Sequence, residues 1–433
     1  MTLVTLFFFA HQPERLRPWD ARSRGPVAPA DLFDHYFDDA GNRFFFEKVA
    51  QKCYWPATTL LLRLAERYKD QPKPFKFSFG LSGTLLDQMR RYDPQLLEVF
   101  QKLAASGVCE FTGETYYHSL SGLFDSERVE FREQARIHSD TILELFGRRP
   151  TVFRNTECLY NNGVARAVQE EGYRAILTEG LERILDWRSP DFVYHAPSGL
   201  PVLLRNYKLS DDVGYRFSNK SWPGWPLTAE TFAGWLAGNT DPCTLLAMDY
   251  EAFGEHMWED TGIFGFLEDL PAQAAKHPQL EWATPTEVVD RIAPAGEYSV
   301  DDMETISWAD QERDTSAWLV NEMQQISFEE MKHLEALVKA TNDPHFVRVW
   351  RCMLTSDHLY YICDKNLSDG DVHQYFSAYG SIADAFVRLH TALLDLLHRV
   401  ERHLEHQGQG TPLNLSAVAS SSPPLTHARA DVR

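Results

Sequence analysis

The feature that most constrains the fold is a recurrence between residues 3 and 285: short apolar, β-favouring runs, each followed by a stretch of helical spacing. "LVTLFFFA" (Leu3 to Ala10) is apolar on both faces, as a strand in a covered parallel sheet must be. "FKFSFGLS", "VCEFTGETYYH", "TVFRNTE", "RAILTE", "LPVLLRNYKLS", "CTLLAMDYE" and "LEWATP" continue the series, with the amphipathic "QLLEVFQKLAAS" ending at Gly107, placed as its C-cap. Such alternation predicts parallel βα units. About seven or eight strands, with no glycine-rich dinucleotide fingerprint after the first, favour a closed or nearly closed α/β barrel over a doubly wound sheet. Polar clusters, "HQPE", "GETYYH", "RNTE" and "MDYE", stand at the C-terminal ends of these runs. In a barrel those ends share one mouth, where active sites are built.

From about Ser307 the pattern changes to long helical spacing, in "DQERDTSAWLVNEMQQISFEEMKHLEALVKA", "DPHFVRVWRCMLTSDHLYYICD" and "AYGSIADAFVRLHTALLDLLHRVERHLEHQ". The expected division is a barrel over 1–295, a helical domain over 296–406, and a disordered tail over 407–433 that is rich in Ser, Pro and Ala.

A formal charge of −20 argues against a nucleic-acid partner, because it would repel phosphate backbones. Aromatic residues make up 13% of the chain, more than cores alone require, and rings stack well on sugars. The six cysteines are scattered without CxxC or zinc spacing, which suits a reduced, cytoplasmic chain. "MTLVTLFFFAHQP" lacks the basic start and the cleavage site of a secretory signal and is read as a buried strand. No segment approaches the ~20 apolar residues of a membrane span, so a soluble protein is expected.

Two strand-end acids stand out. Glu157 follows "TVFRNT" and Asp249 follows "TLLAM", and two carboxylates at one mouth are what glycosidic cleavage needs. For any single such acid the plain alternative is a cap or a surface charge. Strand alternation puts Glu251 on the face of Asp249, where it would bind a hydroxyl or raise its neighbour's pKa, whereas Glu255 reads as a solvated charge. His11, His118 and His256 can each be a sugar ligand or a histidine satisfied by a loop carbonyl. A metal site built from these histidines and Asp249 is conceivable but has no HxH or HxxxH spacing behind it. Trp222 and Trp225, in the irregular "YRFSNKSWPGWPLT", suggest a lid or sugar platform; packing against the rim is the alternative.

Taken together, "HQP" (11–13), "GETYYHSL" (113–120), "RNTECLY" (154–160), "MDYEAFGEH" (248–256) and "LTSDHLYYI" (354–362) resemble, in order, the five short regions of glycoside hydrolase family 57, the α-amylase and 4-α-glucanotransferase group. The resemblance covers most of the chain to roughly residue 400. It implies a (β/α)7 barrel, an incomplete relative of the TIM barrel, followed by a C-terminal helical region that completes the cleft. It also implies retaining chemistry on α-glucans, with Glu157 as nucleophile and Asp249 as acid/base. His11 and Gln12 of the first region would sit by the sugar, and Glu114, His118 and Asp357 would line the cleft. The third region reads "NTEC" where many members have "LPEC", which touches the subgroup and not the glutamate.

The expectation is an intracellular hydrolase of α-1,4-glucan that needs no cofactor or metal. A 4-α-glucanotransferase or branching-type enzyme would use the same residues. Two further readings are a metal-dependent deacetylase-like barrel and a non-catalytic glucan-binding protein.

Overall fold

The structure, a computed structural model, describes residues 1–18, 25–365, 373–375 and 377–408. Its sheet is built from β1 (Thr2–Ala10), β2 (Phe77–Leu81), β3 (Cys109–Phe111), β4 (Val152–Arg154), β5 (Ala175–Glu179), β6 (Val193–His195), β7 (Pro201–Arg205), β8 (Cys243–Asp249) and β9 (Leu280–Trp282). Seven strands follow the order β3-β2-β1-β8-β7-β5-β4, all neighbours parallel. Just beyond β3, Gly113 donates to Val152 O at 2.9 Å and accepts from Arg154 N at 2.8 Å. That bridge joins the two ends of the order, giving an incomplete relative of the eight-stranded barrel. β9 pairs with the start of β1, and β6 runs antiparallel beside β7. β6 was not legible in the sequence: no helix separates it from β7, and its antiparallel pairing falls outside the strand–helix alternation.

Alternation along the strands explains both surfaces of the barrel. Leu3, Phe7 and Phe9 of β1, Val152 of β4, Ala175 and Leu177 of β5, Leu203 of β7 and Leu245 and Ala247 of β8 form the inner cluster. Their neighbours Val4, Leu6, Phe8, Leu246 and Met248 face outward into helices such as Trp55–Tyr68 and Pro94–Ala105. Because β1 is covered on both faces, all nine of its residues are buried. By the same parity Arg154, Arg205 and Asp249 continue the inner rows beyond Val152, Leu203 and Ala247 toward the mouth.

Three expected elements are interrupted, each for a local reason. The "LPVLLRNYKLS" strand stops at Arg205, because the Asn206 side chain accepts from Leu209 N at 3.1 Å and starts the helix Tyr207–Gly214. The first long helix after Ser307 begins only at Glu322, where Asn321 and Gln324 form a capping box. The second breaks into Pro344–Met353 and Ser356–Tyr360, since Ser356 N donates to His118 O at 2.9 Å and Thr355 Oγ1 to Tyr117 O at 3.0 Å. The third, Ile382–His406, is capped by Ser381.

The C-terminal helices share one apolar core with Leu16, Leu32, Tyr36, Tyr116, Tyr117 and Leu120, residues from the segments after β1 and β3. The tail expected over 407–433 lies, from residue 409 on, outside the described residues. No helix among the described residues is long and apolar enough to cross a membrane.

A buried ion pair ties the two parts together: Arg351 donates to both carboxylate oxygens of Glu130, at 2.6 and 3.0 Å. Removing one partner of such a pair strands the other charge in a poor solvent. Arg351→Met is expected to cost about 3 kcal/mol of unfolding free energy, with Lys339 as a residual partner of Glu130, measured as a lowered urea midpoint; an unchanged midpoint refutes the coupling.

Candidate active site

The mouth is organised around the turn after β4. Asn155 leads into it, its side chain accepting from Thr156 N and donating to Leu159 O at 2.9 Å. The next two residues take left-handed backbone, Glu157 at φ 52° and Cys158 at φ 53°, which non-glycine residues adopt at a cost. The surroundings hold them there. Ser307 Oγ donates to Glu157 O at 2.9 Å, Thr178 Oγ1 to Cys158 O at 2.9 Å, and the Thr115 and Thr156 hydroxyls meet at 2.6 Å. The Glu157 carboxylate therefore has a fixed direction.

Both of its oxygens are bonded. Trp308 Nε1 donates to Oε2 at 2.7 Å and His118 Nε2 to Oε1 at 3.0 Å, while His118 Nδ1 donates to Glu114 Oε2 at 3.2 Å. Burial disfavours charge on His118, but these two carboxylates outweigh it and raise its pKa to about 9. Burial likewise opposes ionisation of Glu157. The bond and charge of His118, the charge of Arg154 and the Trp308 bond overcome it and hold Glu157 below the ordinary carboxylate value.

His11 packs on His118 with ring centroids 4.2 Å apart and the planes tilted by 30°. Its Nδ1 accepts from Ser82 Oγ at 2.7 Å and its Nε2 donates to Asp357 Oδ2 at 2.9 Å. Ser82 is also the N-cap of the helix Gly83–Tyr92, so the strand, the helix and the C-terminal segment fix one ring. Burial, partly offset by Asp357, lowers the pKa of His11. Asp357 is largely buried, which opposes its ionisation, yet His11 and the charge of His118 keep it well below the usual carboxylate range. The break at Thr355 described above is what brings Asp357 to the mouth.

Asp249 ends β8, level with Phe9 of β1. Burial and the charge of Glu157 push its pKa up to about 6, against Arg154, Arg205 and His118. Glu251 is not on the strand but in the following turn, Tyr250–Ala252, so its relation to Asp249 does not come from strand alternation. It accepts from Tyr54 OH at 2.5 Å, and burial followed by the charge of Asp249 raises it to about 8. Gln12 stands behind it, donating to Tyr54 OH at 3.3 Å and accepting from Arg15 at 3.1 Å.

Glu157, Asp249, His11, His118, Glu114, Asp357, Glu251 and Gln12 are thus drawn into one bonded or charge-coupled group. Trp222 and Trp225 are not part of its bonding. Trp222 packs on the outer barrel core and edge-on to Trp235 at 6.2 Å, the rim packing named above as the alternative, while Trp225 stands 43% exposed. Glu255, expected as a solvated charge, is instead buried against Lys48 Nζ (2.5 Å) and Lys52 Nζ (3.4 Å), because the loop folds back onto the helix Asp39–Val49 and the turn after it. His256 is a half-buried ring near Tyr375, its pKa lowered by desolvation to about 4. Among the described residues, no group of three or more His, Cys, Asp or Glu side chains is arranged to hold a metal ion.

Trp308 and Arg154 escaped the sequence reading. Trp308 lies beyond the last strand in an irregular segment, with nothing local to mark it. Arg154 did carry a signal: an arginine closing the apolar run Thr-Val-Phe at an inward position of a barrel strand.

The arrangement offers one ionised carboxylate, fixed in direction, and one carboxyl group that holds its proton into the weakly acidic range. The family model of Glycosyl hydrolase family 57 matches residues 5–301, so Trp308 lies outside the matched part. A protein of Methanocaldococcus jannaschii named "Putative alpha-amylase" is 42% identical over 410 residues, covering 93% of this chain and 85% of that protein. The GH57-type branching enzyme of Pyrococcus horikoshii superposes with a TM-score of 0.62 at 15% identity, over 98% of each chain. The 4-alpha-glucanotransferase of Thermococcus litoralis superposes with a TM-score of 0.57 at 14% identity, over 92% of this chain, which spans only 60% of that longer one.

The charge on His118 also bears on stability. Its folded pKa lies above its ordinary value of 6.5, so its contribution is full below pH 6.5 and is lost as pH rises through about 9. Urea unfolding at pH 6 and at about pH 9.5 is expected to show a larger loss for the wild type than for His118→Gln; equal losses in the two proteins refute this.

Proposed function

The chain belongs to glycosyl hydrolase family 57, a family of glycoside hydrolases and transglycosylases, and from that premise we propose that it is a retaining enzyme cleaving α-1,4-glucans. The observation that carries the reading is the division of labour between two acids. Glu157 is ionised and directed by His118 and Trp308, while Asp249 keeps its proton to about pH 6.

In the first step the Asp249 proton passes to the glycosidic oxygen as Glu157 attacks the anomeric carbon, so that the C–O bond to the leaving glucan breaks and an ester to Glu157 forms. In the second, Asp249, now ionised, takes a proton from water, whose oxygen displaces Glu157. Hydrolysis is the proposed outcome, in the manner of an α-amylase, and transfer to a second glucan would need only a different acceptor. His11 and Asp357, held rigid by their mutual bond, offer polar edges to the sugar. A cytoplasmic location belongs to the same proposal and rests on six cysteines that are all free thiols.

Incubation with maltooligosaccharides is expected to give shorter products only; longer products appearing alongside them replace hydrolysis with transfer. Glu157→Gln should lower kcat by roughly 10³-fold or more, and unchanged turnover would overturn the assignment. The pH dependence has a definite shape. kcat/KM falls above about pH 6 as Asp249 loses the proton it must donate, and falls on the acid side only below the ordinary carboxylate value, where Glu157 takes up a proton. A rate still rising between pH 6 and 8 would rule out Asp249 as the acid.

A further inference from the structure

Two arginines extend from the barrel interior toward the acids, and their circumstances are opposite. Arg205 is fully engaged: it donates to Ala247 O at 2.7 Å and to Glu179 at 2.9 Å, and it is paired with Asp211. Two carboxylates therefore neutralise much of its field. Arg154 is 1% exposed, and none of its three guanidinium nitrogens has a hydrogen-bond partner. The Cys158 thiol lies beside it, but sulfur is a weak acceptor.

What holds Arg154 is a clamp of rings. Its guanidinium carbon lies 3.7 Å from the centroid of Phe9 and 4.4 Å from that of Trp308. The same two rings serve the acid group: Phe9 stacks on His118 at 4.8 Å and Trp308 donates to Glu157. Stacking fixes the position of a cation without cancelling its charge, whereas a bidentate carboxylate does both. Among largely buried groups that charge is screened less than it would be in water and acts on whatever stands nearby. Here the neighbours are Glu157 and Asp249, both of which feel it.

We infer that Arg154 is a positioning residue, a buried cation left without a carboxylate of its own so that its field follows the negative charge as it moves from Glu157 to Asp249. The charge does move in that way. Before the first step Glu157 is anionic and Asp249 neutral; afterwards Glu157 is an uncharged ester and Asp249, having given its proton to the leaving oxygen, is the anion. A cation near both need not reorganise, which is the condition for electrostatic catalysis. The other charged and titratable groups coupled to Asp249 include Glu157, Glu251, His118, Arg205 and Tyr360, and a substitution of Arg154 removes none of them.

This inference rests on reading Glu157 and Asp249 as the acid pair, and its test reads charge apart from turnover. Arg154→Met keeps an apolar stem between the rings and removes the charge. In carboxyl-¹³C-labelled full-length protein, with the Asp249 resonance assigned through Asp249→Asn, its titration midpoint is expected to rise by about one pH unit in Arg154→Met and to return in Arg154→Lys. On maltooligosaccharide kcat should fall with KM within about twofold, and the alkaline limb of kcat/KM should move up with the midpoint. An unmoved midpoint in folded Arg154→Met overturns the inference, as does a raised KM with kcat and both pH limbs unchanged, the mark of a sugar ligand. If the methionine variant does not fold, Arg154→Gln carries the same titration. A wild type inert on α-glucans whose Asp249 midpoint still depends on Arg154 refutes the proposed activity and supports the inference.

Discussion

The constraint on which the rest depends is that a carboxylate largely buried at the barrel mouth must stay ionised and keep one direction. Water reaches it only in part, so the protein supplies two N–H donors, from His118 and Trp308, and a left-handed turn that aims it. Each supplier needs its own support. His118, itself at φ 49°, is kept charged by Glu114 on its far side together with Glu157, and Glu114 N in turn donates to His138 Nδ1 at 3.3 Å. A chain of bonds thus runs from β3 and the helix Val129–Phe146 to one oxygen of Glu157. Leaving a buried member of that chain without its partner would cost on the order of 1–3 kcal/mol, which favours each of its links.

The C-terminal helices follow from the same need. A seven-stranded barrel supplies the acids but leaves their outer flank open, and the segment after β9 closes it with Ser307 and Trp308 on Glu157 and Asp357 on His11. The helix broken at Thr355 illustrates the trade. The helical ladder is interrupted so that the backbone can pair with His118 and Ser119, and the loop carrying His118 is thereby fixed from above. The shared apolar core, with Tyr116 and Tyr117 packed among C-terminal residues such as Leu359 and Tyr361, makes this flank rigid rather than a hinged cover.

Legibility in the sequence tracks how local the cause is. The seven parallel strands, the change to helices after Ser307 and the five motifs could all be read, because apolar period and short-range spacing encode them. Glu157 and Asp249 were visible as acids ending apolar runs, and their separation by 92 positions is bridged only by the barrel order. Residues whose placement comes from a neighbour distant in sequence could not be placed: Trp308 on Glu157, the helical break at Thr355, and the burial of Glu255 by Lys48 and Lys52. Trp222 shows the converse. Its irregular segment suggested a free ring, but Trp235 on the following helix supplied packing that local sequence does not reveal.

The third acid sharpens the division between the other two. Glu251, protonated up to about pH 8, brings no negative charge to Asp249 at neutral pH. Were it ionised, like-charge repulsion would lift Asp249 further and leave its proton too tightly held to transfer near pH 6. Its proton is kept by burial and by the charge of Asp249 itself, so the two titrate as a coupled pair in which the first ionisation suppresses the second. Tyr54 sets the limit, because its hydroxyl bond favours the ionised form of Glu251 and opposes burial, and Gln12 orients that hydroxyl. The glutamine of the "HQP" motif is thereby linked through the protein to Glu251, two bonds away.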